Sequence, residues 1–485
     1  MIVSTTTLEK LKESVTEKVF FGNEPTTELI AILLVYFVQG ILGLARLAVS
    51  FFLKDDLGLS PAEVSALVGI AALPWMVKPL FGFISDGLPI FGYRRRPYLI
   101  LSGFLGALSW LALATIVTKP WMATAAIALS SLSVAFSDVI VDSLVVERAR
   151  TESQSDAGSL QALCWGASAV GGIITAYFSG SLLEHFSTRT VFAITGSFPL
   201  IVSIVAWLIA EDPLTEKPDW SVVGKQLGQL KEAVSQKTIW LPTAFLFLWQ
   251  AMPTSESAFF FFTTNELGFE PEFLGRVRLV TSLASLGGTW LFQRFLRSVP
   301  FRVIFGWSTV ISTLLGLTTL LLVTHANRSL GIDDRWFSLG DSLILTVMGQ
   351  IAFMPVLVLA ARLCPPGVEA TLFALLMSVV NLAGLLSYES GALLTKWLGV
   401  TETNFGNLAW LVIITNISSL LPLPLINWLP AASEMPADHE GAGTIHPVPA
   451  LEPDTSASKH LGQPFLPDLM NELIHQPEPI KESVE

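Results

Sequence analysis

Twelve apolar runs, each long enough to cross a bilayer, fill residues 28–429 of this 485-residue chain. A run of about 20 apolar residues rising about 1.5 Å each spans the roughly 30 Å hydrocarbon core. Inside that core every backbone amide and carbonyl must find a partner within the protein, which leaves only helices and closed barrels. The runs are too long and too continuous for barrel strands. The chain therefore reads as an all-α membrane protein with twelve transmembrane helices. The expected spans are 28–53, 61–84, 97–118, 121–146, 157–184 and 190–210, then 239–263, 271–293, 302–324, 341–363, 367–397 and 406–429.

Composition agrees: 52% of residues are hydrophobic and 14% charged, against about a quarter charged in a soluble chain. The net charge of −12 is unevenly placed, because residues 431–485 hold ten Asp/Glu and two Lys. The acidity belongs to the tail and does not suggest a basic partner; no nucleic-acid partner is expected either. That tail, rich in Pro, Ser and acid, is expected to be a disordered cytoplasmic extension (430–485). At the other end, Leu8, Leu11, Val15 and Val19 recur at helical spacing within residues 1–27, the pattern of a short interfacial helix. It lacks the features of a cleavable signal or transit peptide. Cys164 and Cys364 are too few for a disulfide framework and read as small apolar fillers.

Lysine and arginine set the orientation. With the N-terminus in the cytoplasm, the inner segments before the tail hold sixteen Lys/Arg and the outer loops six. Both termini are then cytoplasmic. Arg46, Lys78, Arg276 and Arg278 remain in or near the hydrocarbon.

The chain also repeats itself. Gly158-Ser-Leu-Gln-Ala-Leu and a later Gly180-Ser-Leu-Leu in the fifth run match Ala370-Thr-Leu-Phe-Ala-Leu and Gly391-Ala-Leu-Leu in the eleventh. Ala135-Phe136 in the fourth run has a counterpart in Ala352-Phe353 of the tenth. Six helices in 28–210, a cytoplasmic linker at 211–238 and six helices in 239–429 give two pseudo-symmetric six-helix bundles, the major-facilitator fold. Charge placement is consistent with it. The third, sixth, ninth and twelfth runs, which that fold puts at the periphery, carry no ionisable residue away from their ends. Arg46, Lys78, Asp138, Asp142, Glu256, Arg276, Arg278 and Glu389 all fall in other runs. An ionisable group facing lipid costs several kcal/mol, so these face a cavity or a partner.

Counting about 1.5 Å per residue from the inner face puts Lys78 about 12 Å deep, and Asp142 and Asp138 roughly 7 and 14 Å deep. The aspartates share one helix face at i,i+4. The three form either a fixed ion pair or a proton-coupled switch, since two close carboxylates can hold a proton between them. Nearer the midplane lie Gln39, Gln250, Gln350 and Asn381, with Arg46 and Glu256 in the outer half. Each amide serves as interhelical glue or as part of a substrate-binding ring. The Arg46 guanidinium suits a carboxylate, and Glu256 suits a guanidine-like donor pair. Arg276 and Arg278 are read as snorkelling at the outer end of the eighth run.

The loop after the second run reads Gly82-Phe-Ile-Ser-Asp86-Gly-Leu-Pro-Ile-Phe-Gly92-Tyr-Arg94-Arg95-Arg96-Pro97. It resembles the inner-loop signature of major-facilitator proteins, which implies a cytoplasmic gate of Asp86, Arg94, Arg95, Arg96, Glu147 and Arg148. Plain positive-inside anchoring is the competing reading of the arginines. Together with Gly43-Leu-Ala-Arg46-Leu-Ala-Val-Ser-Phe-Phe-Leu-Lys-Asp-Asp56 and Asp138-Val-Ile-Val-Asp142-Ser-Leu-Val-Val-Glu147-Arg148, this wording resembles the folate–biopterin transporter family of cyanobacteria, plastids and protozoan parasites. The resemblance covers residues 28–429. It implies uptake of folates, pterins and antifolates by alternating access, coupled to protons, in a monomer of a cyanobacterial inner membrane, surrounded by lipid and without a cofactor. Arg46 or Lys78 would take the glutamate tail of folate, and Glu256 the pterin edge. A carrier of the same fold for a sugar or another organic anion is the alternative. No phosphate-binding G-x-x-x-x-G-K-[ST] loop and no H-E-x-x-H or nucleophile-elbow motif is present, so neither an ATP-driven motor nor an enzyme is expected.

Overall fold

The computed structural model describes residues 24–149, 154–213, 235–296, 299–362 and 369–430. Nearly all of the expected N-terminal helix, most of the linker and the acidic tail lie outside these residues. The described part is helical, with an isolated bridge between Ile90 and Tyr93. The first half contains α1 (Thr27–Ile41), α2 (Leu44–Phe51), α3 (Pro61–Ala71), α4 (Leu73–Met76), α5 (Lys78–Gly87), α6 (Arg96–Thr115), α7 (Pro120–Ala149), α8 (Gln154–His185) and α9 (Thr188–Val205). The second contains α10 (Lys237–Gln250), α11 (Glu256–Phe261), α12 (Pro271–Leu291), α13 (Phe301–Gly316), α14 (Thr319–Val323), α15 (Ala326–Ser329), α16 (Asp334–Arg362), α17 (Glu369–Trp397) and α18 (Leu408–Ser418).

Among the described residues eight helical stretches are long and apolar enough to cross a membrane, beginning with Thr27–Asp56 and ending with Leu408–Trp428. The expected runs at 61–84, 239–263, 271–293 and 367–397 are helical but do not meet that measure among the described residues. The first is broken into α3, α4 and α5 around Pro74 and Pro79, where the ring removes a donor and clashes with the preceding turn. The second is broken after Gln250, ahead of Pro253. The third carries Arg276 and Arg278 within its length, and the fourth is one unbroken helix, Glu369–Trp397, of which the first turns are only partly described. Helix α16 starts at Asp334, seven residues ahead of the expected 341, so Arg335 lies in its first turn and not in a loop. There Asp333 Oδ1 accepts from the Arg335 amide at 2.9 Å.

One structural unit occurs twice. Helix α2 runs into a π-turn at Phe52–Asp56, then Gly58 at φ 63° and a new helix at Pro61. Helix α11 runs into a π-turn at Phe262–Glu266, then Gly268 at φ 64° and a new helix at Pro271. The two units are 210 residues apart throughout. On this register Arg46 and Glu256 occupy equivalent positions.

The short loops gather on one face. Thr188 Oγ1 donates to Asp56 at 2.5 Å, Arg189 donates to the Val117 carbonyl at 2.8 Å, and Asn265 donates to the Glu402 carbonyl at 2.8 Å. On that face Phe260, Phe261 and Phe405 of the second half join the apolar cluster of Phe52, Leu53, Val64 and Phe192. Phe51 and Phe260 meet edge-on with ring centres 5.3 Å apart. Helices α8 and α12 cross closely, because a Cβ on Gly180 would stand 2.4 Å from the Pro271 carbonyl and 2.8 Å from Gly275 Cα. Small residues at such crossings let helices pack where lipid gives no hydrophobic drive. On the opposite face the Glu211 carboxylate accepts from the backbone amides of Arg94, Arg95 and Arg96 at 2.5, 2.9 and 2.9 Å. Arg302 there donates to the Leu429 carbonyl at 2.8 Å.

Candidate functional site

A cavity of about 1080 Å³ lies between the two halves, slightly above the roughly 300–1,000 Å³ usual for small-molecule sites. Gly172 and Ile173 of α8 form one wall. Thr254, Glu256, Ser282, Ser285, Ser342 and Thr346 from the second half form the rest. The wall is hydroxyl-rich although its helices run in apolar surroundings.

The break between α10 and α11 opens onto this space. Its backbone groups are taken up by α17: the Thr254 amide donates to the Ser387 carbonyl at 3.3 Å, and Ser387 Oγ donates to the Met252 carbonyl at 2.5 Å. A Cβ on Gly391 would stand 2.2 Å from the Thr254 carbonyl, so only glycine allows that approach. Glu256 then opens α11 and points into the cavity. Irregular backbone at membrane depth is tolerated where it lines such a space.

Three further side chains gather around Glu256, one by contact and two by charge. Tyr388 Oη donates to Glu256 Oε2 at 2.8 Å. Arg46 and Glu256 both act electrostatically on Arg278 and on Tyr388. Arg46, Glu256, Arg278 and Tyr388 therefore form one cluster drawn from α2, α11, α12 and α17. Arg276 pairs at the surface with Glu272 at 2.5 Å, as snorkelling expects, but Arg278 turns inward. Arg278 and Tyr388 were not read as site residues in the sequence. A usable signal was present for Arg278: it shares a helix face with Thr281, Ser282 and Ser285 at i+3, i+4 and i+7.

The second cluster lies within the first half. Lys78, which starts α5 after the Val77 break, pairs with Asp138 of α7. Asp142, one turn along α7, accepts from Tyr36 Oη of α1 and acts on Lys78. The Lys78 ammonium lies 4.9 Å from the centre of the Trp75 ring. Tyr36 is the member absent from the sequence reading; an aromatic hydroxyl in an apolar run needs a partner.

The amides divide. Gln350 Oε1 accepts from Ser285 Oγ, a cavity residue, at 3.1 Å. Asn381 Nδ2 donates to the Trp75 carbonyl at 3.0 Å and so ties α17 to α4 across the two halves. Gln39 Nε2 is buried without a hydrogen-bond partner, and Gln250 ends α10 at the break. Asp86, Glu147 and Arg148 fall at the ends of α5 and α7, and their side chains lie outside the described part of the structure. Arg95 donates to Ser85 at 3.1 Å and Arg96 to the Ile209 carbonyl at 2.6 Å, contacts made within the first half. Glu211, which gathers their amides, was read only as the start of a linker.

The model of the BT1 family matches residues 39–447. A folate-biopterin transporter of Synechocystis is 66% identical over 428 residues, covering 88% of this chain and 87% of that protein. Folate transporter 2 of Plasmodium falciparum is 31% identical over 83% of this chain and 88% of its own length. Among solved structures, the nucleoside transporter NupG aligns with a TM-score of 0.62 at 13% identity, over 82% of this chain and 98% of that one. A D-xylose-proton symporter aligns with a TM-score of 0.61 at 14% identity, over 83% and 98%. These two likenesses show the fold of major-facilitator transporters. With its apolar helices, that fold and relatives matched over most of its length, the chain is an integral membrane transporter and not an enzyme, and it belongs to the BT1 family of folate–biopterin transporters.

Proposed function

We propose that this protein carries folates and related pterins across the membrane by alternating access, coupled to protons. All twelve apolar runs cross the bilayer in this reading, six in each half, and both termini are cytoplasmic. The unit repeated 210 residues apart and the bias of sixteen inner against six outer Lys/Arg support that arrangement. The observation that carries the reading is the cavity between the halves, lined by Glu256, around which Arg46, Arg278 and Tyr388 are gathered by charge and hydrogen bond. Relatives named as folate transporters supply the substrate class.

Arg46, Glu256 and the Ser285–Gln350 pair are the substrate contacts of this reading. Asn381 ties the halves, and Gln39 and Gln250 border the path. Lys78, Asp138 and Asp142 hold the coupling proton, because two carboxylates beside one ammonium leave one negative charge to be titrated. The loop-face contacts of Phe51, Phe260 and Phe261 close one end of the path. Asp86, Arg94–Arg96, Glu147 and Arg148 gate the other.

The test is uptake of labelled folate into proteoliposomes with and without an imposed pH gradient. Wild-type protein accumulates folate with the gradient and stops when a protonophore is added. Arg46→Ala and Glu256→Gln, reconstituted in equal amount, each lose at least tenfold of the rate. Normal uptake by both variants removes the substrate assignment, and indifference to the gradient removes the proton.

A further inference from the structure

Two guanidinium groups, those of Arg46 and Arg278, act electrostatically on the group around the cavity residue Glu256. Among the described residues no hydrogen bond or ion pair is made by the side chain of Arg46 or of Arg278. The nearby acid, Glu256, is held by Tyr388 at 2.8 Å, and no ion pair joins it to either arginine. An uncompensated charge at this depth costs several kcal/mol unless water or an anion meets it. The cluster thus holds two cations and one anion.

The two arginines come from opposite halves, Arg46 from α2 and Arg278 from α12. Each guanidinium offers a planar fork that fits a carboxylate. Apart from Glu256 the cavity wall is uncharged: Thr281, Ser282 and Ser285 follow Arg278 along one face of α12, and Gln350 joins them through Ser285. Charge therefore gathers around Glu256, and neutral hydrogen-bonding groups line the rest of the cavity.

We propose that Arg278 is a substrate-binding residue and that, with Arg46, it forms a clamp with one arm in each half for the carboxylates of a substrate that is anionic at one end and neutral at the other. Glu256 belongs to the same end as the arginines. It limits the excess positive charge while the site is empty and remains a substrate contact, its carboxylate held by Tyr388 at 2.8 Å. The neutral ring of the substrate then lies along Thr281, Ser282, Ser285 and Gln350. This assignment rests on the proposed function and deepens it: the site selects pterins that bear a carboxylate tail over pterins that bear none.

The test compares folate, which has two carboxylates, with biopterin, which has none. Binding to purified protein is read as ligand-induced thermal stabilisation, and uptake is read in proteoliposomes. Arg278→Gln weakens folate binding by about tenfold or more and leaves biopterin binding within twofold of wild type. Arg278→Lys, which keeps the charge and loses the fork, weakens folate binding to an intermediate degree. It also serves as the readable variant if the glutamine protein does not fold. Equal losses for both ligands in either variant assign Arg278 a purely structural role and overturn the clamp. Unchanged folate binding in the lysine variant overturns it as well. Because binding is read without transport, a wild-type protein that fails to accumulate folate counts against the proposed function and leaves the clamp to be judged on the two ligands.

Discussion

Replacing Lys78 by methionine leaves the packing of the side-chain stem nearly intact and removes the charge. Asp138 then loses its ion-pair partner, and Asp142 loses the cation that acts on it. The side chains of Lys78 and Asp138 are 22% and 15% exposed, so water compensates the orphaned carboxylate only in part. Removing one partner of a buried pair costs about 3–5 kcal/mol, whereas removing both together is often nearly neutral. Partial exposure puts Lys78→Met near the lower figure. The contact with the Trp75 ring at 4.9 Å adds roughly 0.5–2 kcal/mol. The folded-to-unfolded ratio therefore falls by more than about a hundredfold, and Lys78→Met/Asp138→Asn recovers most of it. Reversible unfolding in mixed dodecyl maltoside and SDS micelles measures each value. A single variant within about 0.5 kcal/mol of wild type would show that this pair does not hold α5 to α7, and the argument from burial would fail. The double variant also separates the two readings of the cluster. A fixed ion pair leaves its uptake responsive to a pH gradient, whereas a proton switch leaves it folded and unresponsive.

Tyr388→Phe removes the 2.8 Å hydrogen bond to Glu256, worth about 1.5–3 kcal/mol when an ionised group accepts it. Folate KM is expected to rise about tenfold or more with expression unchanged; an unaltered KM would detach Tyr388 from the site. Gly180→Val sets side-chain carbon against the Pro271 carbonyl and Gly275, whereas Gly166 on the same helix has open space around it. Uptake is expected to be lost with Gly180→Val and kept with Gly166→Ala; equal tolerance of both would show that α8 and α12 need no close crossing.

What the sequence made legible followed from the solvent. Apolar length marked the helices, because hydrocarbon forbids unpaired backbone. Ionisable residues inside those lengths marked Arg46, Lys78, Asp138, Asp142 and Glu256, because lipid penalises them. Features decided by local backbone geometry were less visible. The breaks at Val77 and after Gln250 fall in apolar stretches that read as continuous, although Pro74, Pro79 and Pro253 stand beside them. The duplicated π-turn was spelled out as Phe-Phe, Leu-Gly and Pro at equal spacing. Partner choice was least legible. Arg276 and Arg278 are two residues apart, yet one meets Glu272 at the surface and the other is turned toward Arg46 and Glu256. Tyr36 and Tyr388 resemble ordinary aromatic filler until the carboxylates they serve are placed in space.

The two clusters differ in how they can register motion of the halves. Arg46 and Glu256 are equivalent members of the repeat, one from each half and opposite in charge, so their separation depends directly on how the halves sit. The Lys78 cluster lies wholly within the first half and does not sense that separation by itself. A physical route between them runs through α4. Asp138 holds Lys78, Lys78 lies against the Trp75 ring, and the Trp75 carbonyl accepts from Asn381 on α17. Six residues along α17, Ser387 takes up the broken backbone ahead of Glu256, and the next residue, Tyr388, holds the Glu256 carboxylate. A change of charge at the aspartates alters the pull on Lys78 at a point where α4 and α5 are already uncoupled by the Val77 break. The strain passes to a helix that touches both the seam and the anion site. Short, broken helices at that junction move with less loss of backbone hydrogen bonding than an unbroken helix, which is why Asn381, first read among the binding amides, has its clearest part in linking the two clusters.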